Sequence, residues 1–245
     1  CVFENNMAGV SGGAVYDFGK SATCNPVFEN TQFTANIAQS GGAIYNDGSF
    51  SGDASPFLTN CQFVENSCTN SSAGAVYNNG TNEGVSDPLF EQCTFSNNTS
   101  ASTGGVLFNN GSGGQSNPSF IRCVFSENLA YEVGAVMYNL GTNNGNASPS
   151  IINCLVYRNE AYISAAGIYN LGSNFGNASP IITSCTFFGN KAPISGAIYN
   201  NANNEDGTAD AVISNCIFWA NEAPLAKVLR NIYSNPTIEN CIVDV

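Results

Sequence analysis

The residues of this 245-residue chain whose spacing is most regular are also its most reactive, the ten cysteines. Cys61, Cys93, Cys123, Cys154, Cys185 and Cys216 follow one another at separations of 32, 30, 31, 31 and 31 residues. Cys1 and Thr31 extend the series backwards, and Cys241 closes it after a step of 25. Thiols at a fixed interval can cross-link, and an extracellular compartment permits disulfides. The interval itself argues otherwise. If each copy is one layer of a stack, successive cysteines lie ~4.8 Å apart with parallel Cα–Cβ directions, whereas a bridge needs Cβ atoms at about 3.5–4.5 Å. The ladder therefore predicts reduced, buried thiols acting as small apolar fillers. Cys68 aligns with Ala8, Ala38 and Ala130 and reads the same way, Cys24 falls in a loop with its pairing open, and Cys1 is explained by the ladder rather than by lipidation.

The remaining chemistry is sparse. The chain has no histidine, which removes the commonest general base, the Ser–His pair and most zinc sites together. Asp47, Asp53, Asp87, Asp206 and Asp210 fall in turn-rich segments, where an Asp side chain serves its own backbone. The six cations, Lys20, Arg122, Arg158, Lys191, Lys227 and Arg230, recur at no common position of the repeat. Residues 203–210 offer oxygen ligands for calcium without the spacing of a known loop, and they read as a solvated turn. Glycines at 111, 113 and 114 are followed by neither a helix start nor a lysine, so they are turns and not a phosphate cradle. No catalytic residue, metal site or cofactor is assigned.

What must position these residues is a motif of about thirty residues written roughly eight times, pairing Phe-x-x-Asn with Gly-Gly-Ala-Ile-Tyr-Asn. A fixed period of this kind makes each copy one unit that buries its apolar face only against its neighbours. Each copy opens on a proline, as in Asn25-Pro26-Val27-Phe28, continues through a polar pair such as Thr59-Asn60, and reaches a Cys-x-Phe segment. The aligned phenylalanines Phe33, Phe63, Phe95, Phe125, Phe187 and Phe218 form one inward ladder, and Phe28, Leu58, Phe90, Phe120, Ile151, Ile182, Ile213 and Ile238 a second. Three residues after Phe33, Phe63, Phe95, Phe125 and Phe187, and after Val156 at the same ladder position, stands an asparagine, at Asn36, Asn66, Asn98, Asn128, Asn159 and Asn190, read as a left-handed turn residue. Tyr16, Tyr45, Tyr77, Phe108, Tyr138, Tyr169 and Tyr199 make an aromatic ladder, outward if it strictly alternates with its Ile neighbours. The Gly, Ala and Ser positions beside it leave room for the core rings.

Helical repeats share this period, but Leu, Lys, Glu and Arg are scarce, and no segment between turn signals reaches a normal helix length. Three short strands per turn remain. Strands recurring in one direction stack in parallel with right-handed crossovers. The expected fold is all-β, a right-handed parallel β-helix of about eight coils, on the order of 40 Å long, forming one domain over residues 1–245.

Composition bounds the partners. Apolar residues make up 43% and charged residues 10%, so the chain is too apolar for a disordered tail. Its net charge of −12 repels phosphate backbones and anionic lipid, which argues against nucleic acid. No apolar run is long enough to span a bilayer as a helix, so no direct membrane insertion is expected. The triplets Asn70-Ser71-Ser72, Asn79-Gly80-Thr81, Asn146-Ala147-Ser148 and Asn177-Ala178-Ser179 arise readily in a chain this rich in Asn and Ser, and do not indicate glycans.

Phe33-Thr34-Ala35-Asn36 followed by Gly41-Gly42-Ala43-Ile44 resembles the passenger repeats of the chlamydial polymorphic outer-membrane proteins. The Asn-Pro starts and Asn-Gly-Ser loops also resemble right-handed β-helix proteins secreted to bacterial surfaces. The resemblance covers nearly the whole chain and implies surface display and adhesion. The expected function is a non-enzymatic extracellular or cell-surface β-helix, either an adhesin stalk or the subunit of a head-to-tail filament. Its expected partners are further copies end to end, other surface proteins or glycans. The alternative is a polysaccharide lyase or hydrolase on the same fold, which would line one face with clustered Asp or with Arg. The chain opens at Cys1-Val2-Phe3 and stops at Cys241-Ile242-Val243, both in mid-motif, which suits stacking ends or a fragment. In the last full copy Lys227-Val228-Leu229-Arg230 replaces Gly-Ala-Ile-Tyr, suggesting an edge or a contact.

Overall fold

The computed structural model describes residues 1–203 and 206–244, and every regular element among them is a β-strand. One copy of the repeat traces one coil: Phe57–Thr59, a bend, Gln62–Val64, a second bend, Ser67–Cys68, a glycine turn, then Val76–Asn79 and a loop back to the next proline. Each strand pairs in parallel with its equivalent one repeat away, so Phe33 lies beside Phe63 and Tyr45 beside Tyr77. The result is a parallel β-solenoid of four sheets. The Phe33 sheet has nine strands, the Tyr45 and Leu58 sheets have eight each, and a sheet of two-residue strands has five.

Proline sits just before the strand rather than in it. Its missing N–H costs no ladder bond there, while its carbonyl starts the ladder, as when Pro26 accepts from the Phe57 N–H at 3.0 Å. The bend between the Leu58 and Phe33 sheets falls on the second residue of the polar pair, with left-handed φ at Asn30, Asn60 and Asn153 (48°, 52° and 54°). Asn tolerates that region better than most residues.

The fourth sheet departs from the three-strand expectation, and its cause is the Phe-x-x-Asn asparagine. That residue is not the left-handed one. Positive φ falls on the residue before it, at Ala35, Glu65, Asn97, Glu127, Arg158 and Gly189, and the turn at this point aims the following Asn side chain into the interior. Asn36, Asn66, Asn98, Asn159 and Asn190 are fully buried and Asn128 nearly so. The short strands follow directly from these anchored residues.

Both apolar ladders face the core except at the last coil, where Ile238 is exposed because no further strand packs over it, and Phe28 at the first coil is only partly buried. Phe33, Phe63, Phe95, Phe125, Phe187 and Phe218 are buried, and neighbouring rings stack face to face, with centroids 4.7 Å apart for Phe33–Phe63 and 4.9 Å for Phe95–Phe125. Phe90 and Phe120 meet these columns edge to face at 5.6 Å, the second of the two favoured aromatic geometries. The glycine pair answers mainly to backbone. Gly41 has φ +61°, and a Cβ on Gly42 would sit 2.1 Å from the Gly74 carbonyl oxygen of the next coil. Ala43 does line the core, against the ladders.

Candidate functional site

The six ladder cysteines Cys61, Cys93, Cys123, Cys154, Cys185 and Cys216 form one buried column beside the phenylalanines, and all ten cysteines are free. Each thiol lies against two backbone carbonyls, as Cys93 Sγ does with Leu58 and Glu91 at 3.4 Å each. The Cys123 N–H in turn donates to Cys154 Sγ at 3.3 Å. Burial pushes the Cys68 thiol above its ordinary range. A neutral buried thiol is a poor nucleophile.

The asparagine ladder is the densest polar feature. The Asn36 backbone N–H and Nδ2 both donate to Asn66 Oδ1, at 3.0 and 2.9 Å, while Asn66 Nδ2 donates to the Phe33 carbonyl at 2.8 Å. The same triangle recurs through Asn98, Asn128, Asn159 and Asn190 to Asn221. Each buried amide thereby ties two coils together, and no donor in the turn is left orphaned.

A second ladder, buried from Asn46 to Asn200, was not singled out from the sequence. Asn46, Asn78, Asn109, Asn139, Asn170, Asn200 and Asn231 pass Nδ2–H···Oδ1 bonds from coil to coil at 2.7–3.0 Å. The signal was present: Asn closes each Ile-Tyr-Asn triplet, and alternation puts it on the same side as the buried Ile. The tyrosines between them face outward, half-buried for the most part, with stacked rings 4.7–5.2 Å apart from Tyr16 to Tyr77. Because those rings lie face to face, their faces are occupied and only edges and hydroxyls remain available.

The carboxylates are engaged separately. Tyr16, Ser49 and Asn79 donate to Asp47, which closes a strand and is not in a loop. Burial pushes its carboxyl up, but these donors outweigh burial and hold it below the usual range. Asp53 accepts from Asn25 and Ser55, Asp87 from Gln115 and the Asn117 N–H, and Asp210 from the Asn235 N–H. Asn146 and Asn177 occupy the Asp53 position and hold Ser148 and Ser179 at 2.6 Å in the same way, so those two triplets are a turn device. Of the residue 203–210 loop, Asn204 and Glu205 lie outside the described residues. Among the described residues no three ligating side chains converge as a metal site would require.

A family model, the Chlamydia polymorphic membrane protein repeat, matches residues 1–17 and 92–110. These stretches contain Phe3-x-x-Asn6 with Gly12-Gly13-Ala14, and Phe95-x-x-Asn98 with Gly104-Gly105-Val106. The curated proteins and the solved structures return no match. Fold and ladders together define a parallel β-solenoid repeat protein. Its repeat is similar to that of the polymorphic membrane proteins over two short stretches.

Proposed function

We propose that this chain is a non-catalytic, surface-displayed β-solenoid whose work is to present a long, rigid side surface for adhesion. The observation that supports it is the placement of the polar groups. Two asparagine ladders are buried as ties between coils, and Asp47, Asp53, Asp87 and Asp210 each accept from neighbouring hydroxyl, amide or backbone N–H groups. Function is then left to the outward positions, which vary from coil to coil. The match to a membrane-protein repeat supports a bacterial cell-surface or extracellular location, with surface proteins or glycans as partners.

Beads coated with the chain should adhere to cultured cell layers in competition with free chain. The same preparation, incubated with polygalacturonan and calcium, should release neither reducing ends nor unsaturated product. Turnover that survives repeated purification would replace this reading with the polysaccharide-active one.

A further inference from the structure

The outward tyrosine column differs from coil to coil in what its hydroxyls meet. Where a column hydroxyl finds a partner, it lies in the next coil, two positions beyond the paired ring. That register position is held by Asp47, Asn79, Asn110, Leu140, Leu171 and Asn201. Asn110 Nδ2 donates to the Tyr77 hydroxyl at 3.2 Å, and Asn201 Nδ2 to that of Tyr169 at 3.0 Å. Asp47 reverses the bond, because a carboxylate can only accept: the Tyr16 hydroxyl donates to Asp47 Oδ2 at 2.7 Å. Among the described residues, no other tyrosine hydroxyl donates to a carboxylate.

The carboxylate is prepared to take that proton. Ser49 Oγ, the Ser49 N–H and Asn79 Nδ2 all donate to Asp47 Oδ1, at 2.6, 3.2 and 3.0 Å, which leaves Oδ2 to Tyr16. Burial pushes the Asp47 carboxyl up, but the bonds from Ser49, Tyr16 and Asn79 outweigh it and hold the group ionised at neutral pH. Tyr16 shifts the other way. Partial burial, then the bond to Asp47, hold its phenol above the usual range, so it stays protonated there. An electron taken from this ring must therefore leave with a proton, and a base at 2.7 Å is within reach of it. A phenol that has lost an electron is a far stronger acid than a carboxylic acid, so transfer to Oδ2 runs downhill. At Tyr77 and Tyr169 the amide donors act in the opposite sense, making an electron harder to remove. The Tyr16 ring is 45% exposed and so open to an oxidant in solution.

We propose that Tyr16 is an oxidative modification site, at which a one-electron oxidant takes an electron from the ring while the phenolic proton passes to Asp47 Oδ2, and two such radicals on two chains couple as dityrosine. The oxidant is of the class of a peroxidase ferryl centre or a ruthenium(III) complex, and each turn reduces it by one electron. The two tyrosyl radicals then form a Cε–Cε bond. Each displaced Cε hydrogen returns through solvent to its phenolic oxygen, so the overall loss is two electrons and the two protons that the two Asp47 carboxylates accepted and release to water. The site is independent of the adhesive reading, and its product is a covalent link between chains.

The intact chain, with its exposed Cys1 alkylated, should be illuminated briefly with ruthenium tris-bipyridine and a cobalt(III) quencher, which together generate ruthenium(III). Dityrosine emission and peptide mapping then rank the tyrosines. Exposure alone puts Tyr233 (68%), Tyr131 (51%) and Tyr162 (50%) ahead of Tyr16; the proposal puts Tyr16 first and makes it the residue that joins covalent dimers. Asp47→Asn copies the side chain of Asn79 and keeps an acceptor oxygen without a base, so Tyr16 should lose its lead with melting unchanged. Tyr16→Phe copies Phe108, keeps the stacking and should abolish the dimer. Oxidation of Tyr16 should also be slower in D2O, which decides the matter on the native chain should Asp47→Asn melt differently. Modification of the native chain in order of exposure, a lead for Tyr16 that survives in a folded Asp47→Asn, undiminished dimer in Tyr16→Phe, or equal rates in H2O and D2O would each overturn the proposal.

Discussion

Asp17 lies in register beside Asn46 at the start of the second asparagine ladder, and both Asp17 carboxyl oxygens and Asn46 Oδ1 are buried without a hydrogen-bond partner. Asp17 occupies a position that every later coil gives to Asn. Acceptor therefore faces acceptor. Burial raises the Asp17 carboxyl above the usual carboxylate range, with Asp53 adding to the shift and the Cys24 thiol opposing it.

Asp17→Asn should therefore stabilise the fold by about 1–2 kcal/mol at pH 7, because the new amide can donate to Asn46 Oδ1. The sign with pH is specific. A carboxyl whose folded pKa is raised contributes stability below its unfolded value and loses it as pH rises through the folded value. The advantage of Asn over Asp should thus shrink on acidification toward pH 4, where protonated Asp17 can itself donate. Urea unfolding of both proteins across that range would show it, and a gain that is constant with pH would contradict it.

Truncating the core ladder should be costly and position-dependent. Phe125→Ala removes a fully buried ring stacked on Phe95 and should cost about 3–5 kcal/mol, whereas exposed Thr94→Ala should change stability by less than about 0.5 kcal/mol. Equal melting of the two variants would mean that the inward phase is wrong.

Asn98 accepts from both the N–H and Nδ2 of Asn66 and donates to the Phe63 carbonyl. Asn98→Ala should cost about 2–4 kcal/mol, since it orphans several buried groups at once. Hydrogen exchange should localise the damage to the Asn66 amide and its neighbours. Uniform exchange along the chain would argue that the ladder does not hold the bend.

The column from Cys93 to Cys216 should be unreactive to a thiol reagent in the native state and fully reactive after denaturation without reductant, since these thiols are free and buried. Cys1, which is exposed, should label first. Silence of the column until reductant is added would show bridges instead.

The period of the chain determined the parallel stack, the membership of the cysteine, phenylalanine and tyrosine ladders, and the inward phase of the phenylalanines. Those follow from two one-dimensional facts, a constant interval and the alternation of side chains along a strand. The glycine pair and the Phe-x-x-Asn asparagine were equally visible as residues but not in their roles. Which residue of a bend takes left-handed φ depends on where its neighbour's side chain can be bonded, and only the adjacent coil, with Asn66 waiting for Asn36, decided that. The tertiary structure likewise decided that the Tyr45 rings turn outward and stack face to face. Ring orientation depends on packing between residues about thirty positions apart, because a surface is made by neighbours in space that sequence order keeps separate.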